Sequence, residues 1–245
     1  MSEPILELRG VTVRFGGLTA VAGVDLQVRA GETVGLIGPN GAGKTTLFNA
    51  VTGTLRPNEG TVHLRGQRID GLRPSEVARR GVRRTYQIVR PFGSLSLLEN
   101  VLIGAVFSAA GAGAAAAARE RAREMLATVG LAQKAEMLAR DLNLAEKKKL
   151  DLARALAANP AVLLLDEVLA GLNPTEIDRS LDLLERIHAT QGKTIIMVEH
   201  VMRAIMRISR RVVVLHHGEK IADGPPETVA RDPRVIEAYL GEPIV

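Results

Sequence analysis

The sequence predicts an α/β fold with a mostly parallel sheet, an antiparallel β subdomain at the N-terminus and a helical subdomain inserted in the middle. Three observations predict it. Short, continuously apolar segments at 33–37, 161–165, 194–198 and 211–215 alternate with helical stretches, the pattern of parallel strands covered on both faces. Near the N-terminus, 5–13 and 24–28 alternate apolar and polar residues on either side of a Gly16-Gly17 turn region, as half-exposed strands do. From about 94 to 158 strand signals vanish, and Ala, Arg, Glu and Leu favour helix. No internal repeat is visible.

Taken in order, the strand at 33–37 runs into a glycine-rich loop, and 44–51 reads as a helix. A short strand at 61–64 precedes a polar turn and a helix at 75–80. Within the helical middle, the alanine-rich piece 109–118 is low in complexity and reads as a variable helix or linker. Helices at 175–189 and 201–208 separate the last three apolar strands.

A chain of 245 residues with a hydrophobic fraction of 46% can bury a sizeable core, which excludes wholesale disorder. The absence of cysteine excludes a disulfide scaffold, a cysteine-ligated zinc and a thiol nucleophile, and fits a cytoplasmic protein. The N-terminus MSEPILELRG has no signal-peptide core, so nothing in it points to export. Residues 101–118 carry no charge and reach the length of a spanning helix, but they are mostly Ala and Gly, which insertion scales reward little. Lys+Arg 32 against Asp+Glu 27 leaves a net charge of +5, which alone would admit nucleic acid as a partner. With aromatics at 2% there are few stacking platforms for single strands, and no nucleic-acid partner is expected.

Gly38-Pro39-Asn40-Gly41-Ala42-Gly43-Lys44-Thr45, followed by Thr46, matches G-x-x-x-x-G-K-[ST]. The glycines let backbone N–H groups turn inward and approach phosphates with no Cβ in the way. The helix starting near Lys44 adds the positive end of its dipole. Lys44 is then placed to reach the β- and γ-phosphates, and the Thr45 hydroxyl to ligate Mg²⁺. A strand before the loop and a helix after it supply the required context, so the chain is expected to bind a nucleoside triphosphate on a P-loop NTPase core.

The strand at 161–165 ends in Asp166-Glu167. A buried parallel strand delivers its last residues to the carboxyl edge of its sheet. There Asp166 can hold the Mg²⁺ shell and Glu167 can polarise an attacking water. Alone, such a pair is more often a helix cap; beside a phosphate loop the catalytic reading is the better one.

An ordered set of residues resembles the ATPases of ATP-binding cassette (ABC) transporters from about Leu6 to Gly241: Phe15, the loop 38–45, Gln87, 142–146, Asp166-Glu167, Asn173 and His200. The resemblance implies one ABC ATPase domain over 1–245, with a catalytic core at about 1–90 and 159–222, a helical subdomain at 91–158 and a helical tail at 223–245. It implies that Phe15 stacks on adenine and that Gln87 senses Mg²⁺ and the γ-phosphate while facing the membrane partner. Asn173 would lie in the loop that crosses a dimer interface, and His200 would bond the γ-phosphate and help orient Glu167. Singly, Phe15 also reads as core, Gln87 as surface, His200 as a helix cap and Asn173-Pro174 as a turn pair; order and spacing favour the site.

The sequence departs from the family at its signature Leu-Ser-Gly-Gly-Gln, which here reads Leu142-Asn143-Leu144-Ala145-Glu146. Asn143 can replace serine as a helix N-cap. Leu144 and Ala145 cannot adopt positive φ as cheaply as glycine and add bulk where backbone should approach phosphate. Glu146 puts a charge in place of a neutral amide. The nucleotide site that this signature completes is therefore expected to be weakened, making a dimer with a different cassette asymmetric. Val168 replaces the usual proline, with little consequence expected. Lys147, Lys148 and Lys149 read as the solvated basic face of a helix. Arg79, Arg80, Arg83, Arg84 and Arg90, around Gln87, read by default as solvated surface, with contact to anionic lipid or a membrane subunit as a further hypothesis.

Arg84-Thr85-Tyr86-Gln87, 170–174, 198–202 and the tail 224–241 resemble the ATPase subunits of branched-chain amino acid importers. That resemblance implies ATP and Mg²⁺ as cofactors. The implied partners are a second cassette (the same chain or another), transmembrane permease subunits and, indirectly, a solute-binding protein. The implied place is peripheral, on the cytoplasmic face of the membrane. The ATPase of a lipid or lipopolysaccharide exporter is the alternative within transport, and a soluble, non-transport ABC ATPase the alternative outside it.

Overall fold

The computed structural model describes residues 3–106 and 115–240. In chain order the elements are β1 (Leu6–Phe15), β2 (Leu18–Val28), β3 (Thr33–Ile37), α1 (Lys44–Val51), β4 (Glu59–Leu64), β5 (Gln67–Arg68), α2 (Pro74–Arg80), β6 (Val82–Arg84), α3 (Leu97–Val106), α4 (Ala115–Thr128), α5 (Leu144–Ala157), β7 (Val162–Asp166), α6 (Pro174–Gln191), β8 (Thr194–Val198), α7 (Met202–Ile208), β9 (Arg211–His216), β10 (Glu219–Gly224), α8 (Pro226–Val229) and α9 (Pro233–Leu240). Two 3₁₀ turns, at Ala132–Lys134 and Ala139–Asp141, lie between α4 and α5. The chain divides into two compact units, one made of 1–77 and 194–245, the other of 78–193.

The first unit holds two sheets. In one, β2, β1, β4 and β5 lie side by side, with β1 antiparallel to both β2 and β4. Its alternation is that of a half-covered sheet: Leu6, Leu8, Val24, Leu26 and Val28 are buried, while Arg9, Asp25 and Gln27 face solvent. In the other, β3 lies parallel to β8 and β9, and β10 closes the edge antiparallel to β9. All five residues of β3 and all five of β8 are buried, as expected of strands covered on both faces.

The second unit carries the parallel pair β6 and β7 with helices α3 to α6. Helix α6 shows how local sequence sets an element. Asn173 caps its N-terminus, Glu176 returns the bond in a capping box, Pro174 opens it, and Gly192 ends it at φ 57. Ile177, Leu181, Leu184 and Ile187 recur at helical spacing and form its buried stripe. Helix α5 starts in the same way. The Asn143 side chain accepts from Glu146 N–H at 2.9 Å, and Glu146 accepts from Asn143 N–H at 3.2 Å.

Several short or polar strands escape a pattern search. The second strand starts at Leu18 rather than 24: Val21 is the only buried residue of 18–23, which therefore lacks a clear alternation and is held by its register with β1. Neither β6, three residues with two arginines, nor the polar β10 has an apolar signature of its own. The alanine-rich piece 109–118 lies outside the described residues up to 114, and its last four residues open α4. The end of the tail, including Gly241, also lies outside them. Among the described residues no helix is long and apolar enough to cross a membrane.

The α5 cap should be measurable. Asn143→Ala should cost about 1 kcal/mol of unfolding free energy in urea at neutral pH. Lys134 and the Asn143 amide hold the Glu146 carboxyl below its ordinary value of 4.5, against an opposing effect of desolvation. A lowered carboxylate stabilises the fold above its unfolded pKa and stops doing so as pH falls through the folded one. The gap in Tm between the parent and Glu146→Gln should therefore be full at pH 7 and shrink below about pH 4.5.

Candidate functional site

In the first unit the phosphate loop follows β3 directly. Gly38 has φ 150, and a Cβ there would lie 2.1 Å from the Leu215 carbonyl oxygen. Gly43 has φ 100, and its Cβ would lie 2.4 Å from the Ala20 carbonyl oxygen. Both positions require glycine on conformational and steric grounds. Inside the loop, Ala42 N–H donates to Pro39 O at 3.2 Å and Leu47 N–H to Gly43 O at 2.8 Å. Gly43, the N-cap of α1, offers no capping side chain, so the first-turn amides lack that competitor for an anion. The Lys44 ammonium donates to Gly38 O at 2.6 Å and Pro39 O at 2.8 Å. Pro39 and Thr46 are half-buried, Asn40, Gly41 and Thr45 are exposed, and Ala42 is buried. A backbone cradle with an ammonium beside it and a hydroxyl at its rim is chemically fitted to a phosphate chain and its cation.

Two expected partners of the nucleotide sit in the same unit. Phe15 ends β1, pairs in register with Leu18 and is 50% exposed, which a core residue would not be. His200 lies exposed just past the end of β8. Tyr239 on α9 was not singled out by its sequence. Burial pushes its phenol up, while a hydrogen bond from the Gly38 backbone works against that.

The second unit carries Gln87, the signature, Asp166, Glu167 and Asn173. Asp166 is the buried last residue of β7. Its carboxylate accepts from Arg84 Nη2 at 2.6 Å, and both side chains are only 6% exposed. The Arg84 guanidinium also lies 5.2 Å over the Tyr86 ring. This corrects the expectation that Arg84 is solvated surface: in β6 it pairs with Leu164 of β7, two residues before Asp166. Glu167 has φ 48, a left-handed conformation that costs a non-glycine residue about 1–2 kcal/mol. Its side chain accepts a hydrogen bond from Gln87 Nε2. Such strain at a carboxylate is a pointer to function.

Two further expectations need correction. Lys148 is not on a solvated face: it is buried, and its ammonium donates to the Glu167 main-chain oxygen at 3.1 Å. Leu144 and Ala145 carry no left-handed strain, because both lie in the first turn of α5. Their bulk remains: Leu144 Cδ2 lies 3.0 Å from where a Cβ on Gly171 would sit. Asn143 and Asn173 are both exposed N-caps with capping boxes. Glu146, besides its cap, forms an ion pair with Lys134.

The glycine cradle between β3 and α1, with Lys44 beside it, defines a nucleotide-binding fold of the P-loop class. A family model for the ABC transporter matches residues 21–170, and one for the branched-chain amino acid ATP-binding cassette transporter matches 219–244. The chain is 41% identical to the high-affinity branched-chain amino acid transport ATP-binding protein BraF of Pseudomonas aeruginosa, over 99% of this chain and 100% of BraF. It is 40% identical to LivG of Escherichia coli K12, which carries the same description, with the same coverage. Among solved structures, the ADP conformation of MJ1267, an ATP-binding cassette of an ABC transporter, superposes with a TM-score of 0.87 at 29% identity, covering 98% of this chain and 100% of that one. The chain belongs to the ABC transporter family, as one of its ATP-binding cassettes.

Removing one partner of a buried ion pair leaves the other charge uncompensated. Arg84→Met should therefore cost about 3–5 kcal/mol in urea unfolding. Adding Asp166→Asn should recover much of that loss, since no buried charge is then left behind.

Proposed function

We propose that this chain binds and hydrolyses ATP for an ABC transporter that imports branched-chain amino acids or a similar small polar solute. The observation that carries this reading is the end-to-end similarity to BraF and LivG, including the separate match of the C-terminal segment 219–244. The reading includes Mg²⁺, transmembrane permease subunits, a second cassette and, through them, a solute-binding protein. It places the chain peripherally on the cytoplasmic face of the membrane.

In this mechanism the loop amides of 38–46 and the Lys44 ammonium hold the phosphates, exchanging the Gly38 and Pro39 carbonyl contacts for phosphate oxygens. Phe15 supplies an exposed ring for adenine. Thr45, Asp166 and Gln87 are the residues that would hold the magnesium shell. Magnesium, when bound, neutralises charge on the phosphates. Glu167 orients and deprotonates the attacking water, steadied by Gln87, and His200 orients the γ-phosphate. Asn173 faces the partner cassette, and 142–146 completes the partner's nucleotide site.

The altered signature makes that partner site the weaker of two. Leu144 and Ala145 add side chains at the phosphate-facing turn, and Glu146 adds a carboxylate where an anion must dock. Leu144→Gly with Ala145→Gly should raise ATPase activity in the assembled complex; unchanged activity would refute the asymmetry.

Glu167→Gln should keep MgATP affinity while hydrolysis falls by roughly 10²-fold or more, the share of a general base. Full hydrolysis in that variant would refute the assigned role. For the solute, the chain would be purified from detergent-solubilised native membranes with its partners. Two membrane subunits and a different second cassette support the importer. Self-association with a single membrane partner favours the exporter, and ribosomes or nucleic acid would overturn transport.

A further inference from the structure

Helix α5 does more than present the signature. One turn into it, Lys148 and Asp151 stand three residues apart, the spacing that places two side chains on one helical face. Both are buried, which lysine and aspartate tolerate only with specific partners. Lys148 Nζ donates to the Glu167 main-chain oxygen at 3.1 Å. Asp151 Oδ2 accepts the Tyr86 N–H at 3.3 Å, and its other oxygen pairs with Arg154. Tyr86 immediately precedes Gln87, and Gln87 Nε2 is bonded to the Glu167 carboxylate. The result is a closed ring of contacts: α5 to the Glu167 backbone, Glu167 to Gln87, and the Gln87 segment back to α5.

We propose that Lys148 and Asp151 are positioning residues for hydrolysis, fixing the Glu167 backbone and the Gln87 segment from one face of the signature helix. The proposal rests on the reading of Glu167 as the residue that orients the attacking water. Glu167 is held at φ 48, where the backbone would relax unless something retained it. A charge-assisted bond to its carbonyl oxygen is such a restraint. Any shift of α5 is thereby transmitted to the base through Lys148 and to the Gln87 segment through Asp151. A signature helix that engages a partner's nucleotide would thus report that engagement to the carboxylate of its own chain.

The test uses the full chain with MgATP, measuring KM, kcat and single-turnover hydrolysis. Lys148→Met removes the donor. It should lower kcat roughly 10²-fold, as a misplacement of about 1 Å does, with KM for MgATP changed less than about twofold. Lys148→Arg, which keeps a cationic donor of at least equal reach, should recover much of the loss. Because Lys148 acts through Glu167, Lys148→Met should add little to the defect of Glu167→Gln in single turnover. Should Lys148→Met fail to fold, Asp151→Ala gives the second arm: it should lower kcat, and add little once Gln87→Ala is present. Wild-type kcat in Lys148→Met, a loss matched in KM, or full additivity with Glu167→Gln overturns the positioning role. Normal hydrolysis by Glu167→Gln itself overturns the underlying assignment instead, so the two failures are told apart.

Discussion

Asp166 ends a strand whose five residues are all buried, so its charge must be met inside the protein. Arg84 meets it at 2.6 Å, and much of the second unit follows from that pairing. The guanidinium comes from β6, so β6 must lie parallel beside β7 with Arg84 opposite Leu164. That register brings Thr85 under the Asp166 amide, at 3.4 Å, and sends the chain on through Tyr86 to Gln87. A buried pair of this kind contributes little net stability over apolar residues of the same shape. What it contributes here is register: a one-residue slip would turn Arg84 to the other face of its strand and leave Asp166 uncompensated.

The signature segment shows how a departure from a family pattern can be locally sound. Asn143 and Glu146 form a reciprocal cap that satisfies two backbone donors at the start of α5. The cap rests on positions 143 and 146, so the change at 144 and 145 leaves it intact. The same carboxylate sits at the positive end of the helix, where a phosphate would otherwise be attracted, and Lys134 anchors it there. Local stability and anion binding compete for the same amides.

What could be read from the sequence divides along a physical line. The phosphate loop was legible because its chemistry is contiguous: the glycines, lysine and threonine that make the cradle are neighbours in the chain. The cap of α5 was legible for the same reason, Asn143 standing next to the helix it starts, whereas Asn173, read as a turn residue, also proves to be an N-cap. The strand read at 161–165 announced itself by being apolar throughout, and the structure places it at Val162–Asp166. Arg84 and Lys148 could not be placed this way, since each looks like an ordinary basic surface residue until register is known. Arg84 meets a partner 82 positions away, across a three-residue strand with no apolar signature. Lys148 is one of three consecutive lysines, and only the helical phase of α5, set by the cap at Asn143, turns it inward while Lys147 and Lys149 stay partly exposed.

That helical phase carries a further consequence. With Asn143 as N-cap, the positions that face inward after the first turn are fixed by 3.6-residue geometry, and they include both Lys148 and Asp151. The residue that caps the helix thus decides which lysine reaches Glu167. Moving the cap by one position would rotate the helix's contact face by about 100°, exchanging Lys148 for a neighbour and withdrawing Asp151 from the Tyr86 amide. The cap at the signature and the bond to the Glu167 main-chain oxygen are therefore consequences of one local choice of sequence. It follows that the family's two glycines could be lost here without disturbing Glu167, because the phase of α5 depends on Asn143 and Glu146 rather than on Leu144 and Ala145.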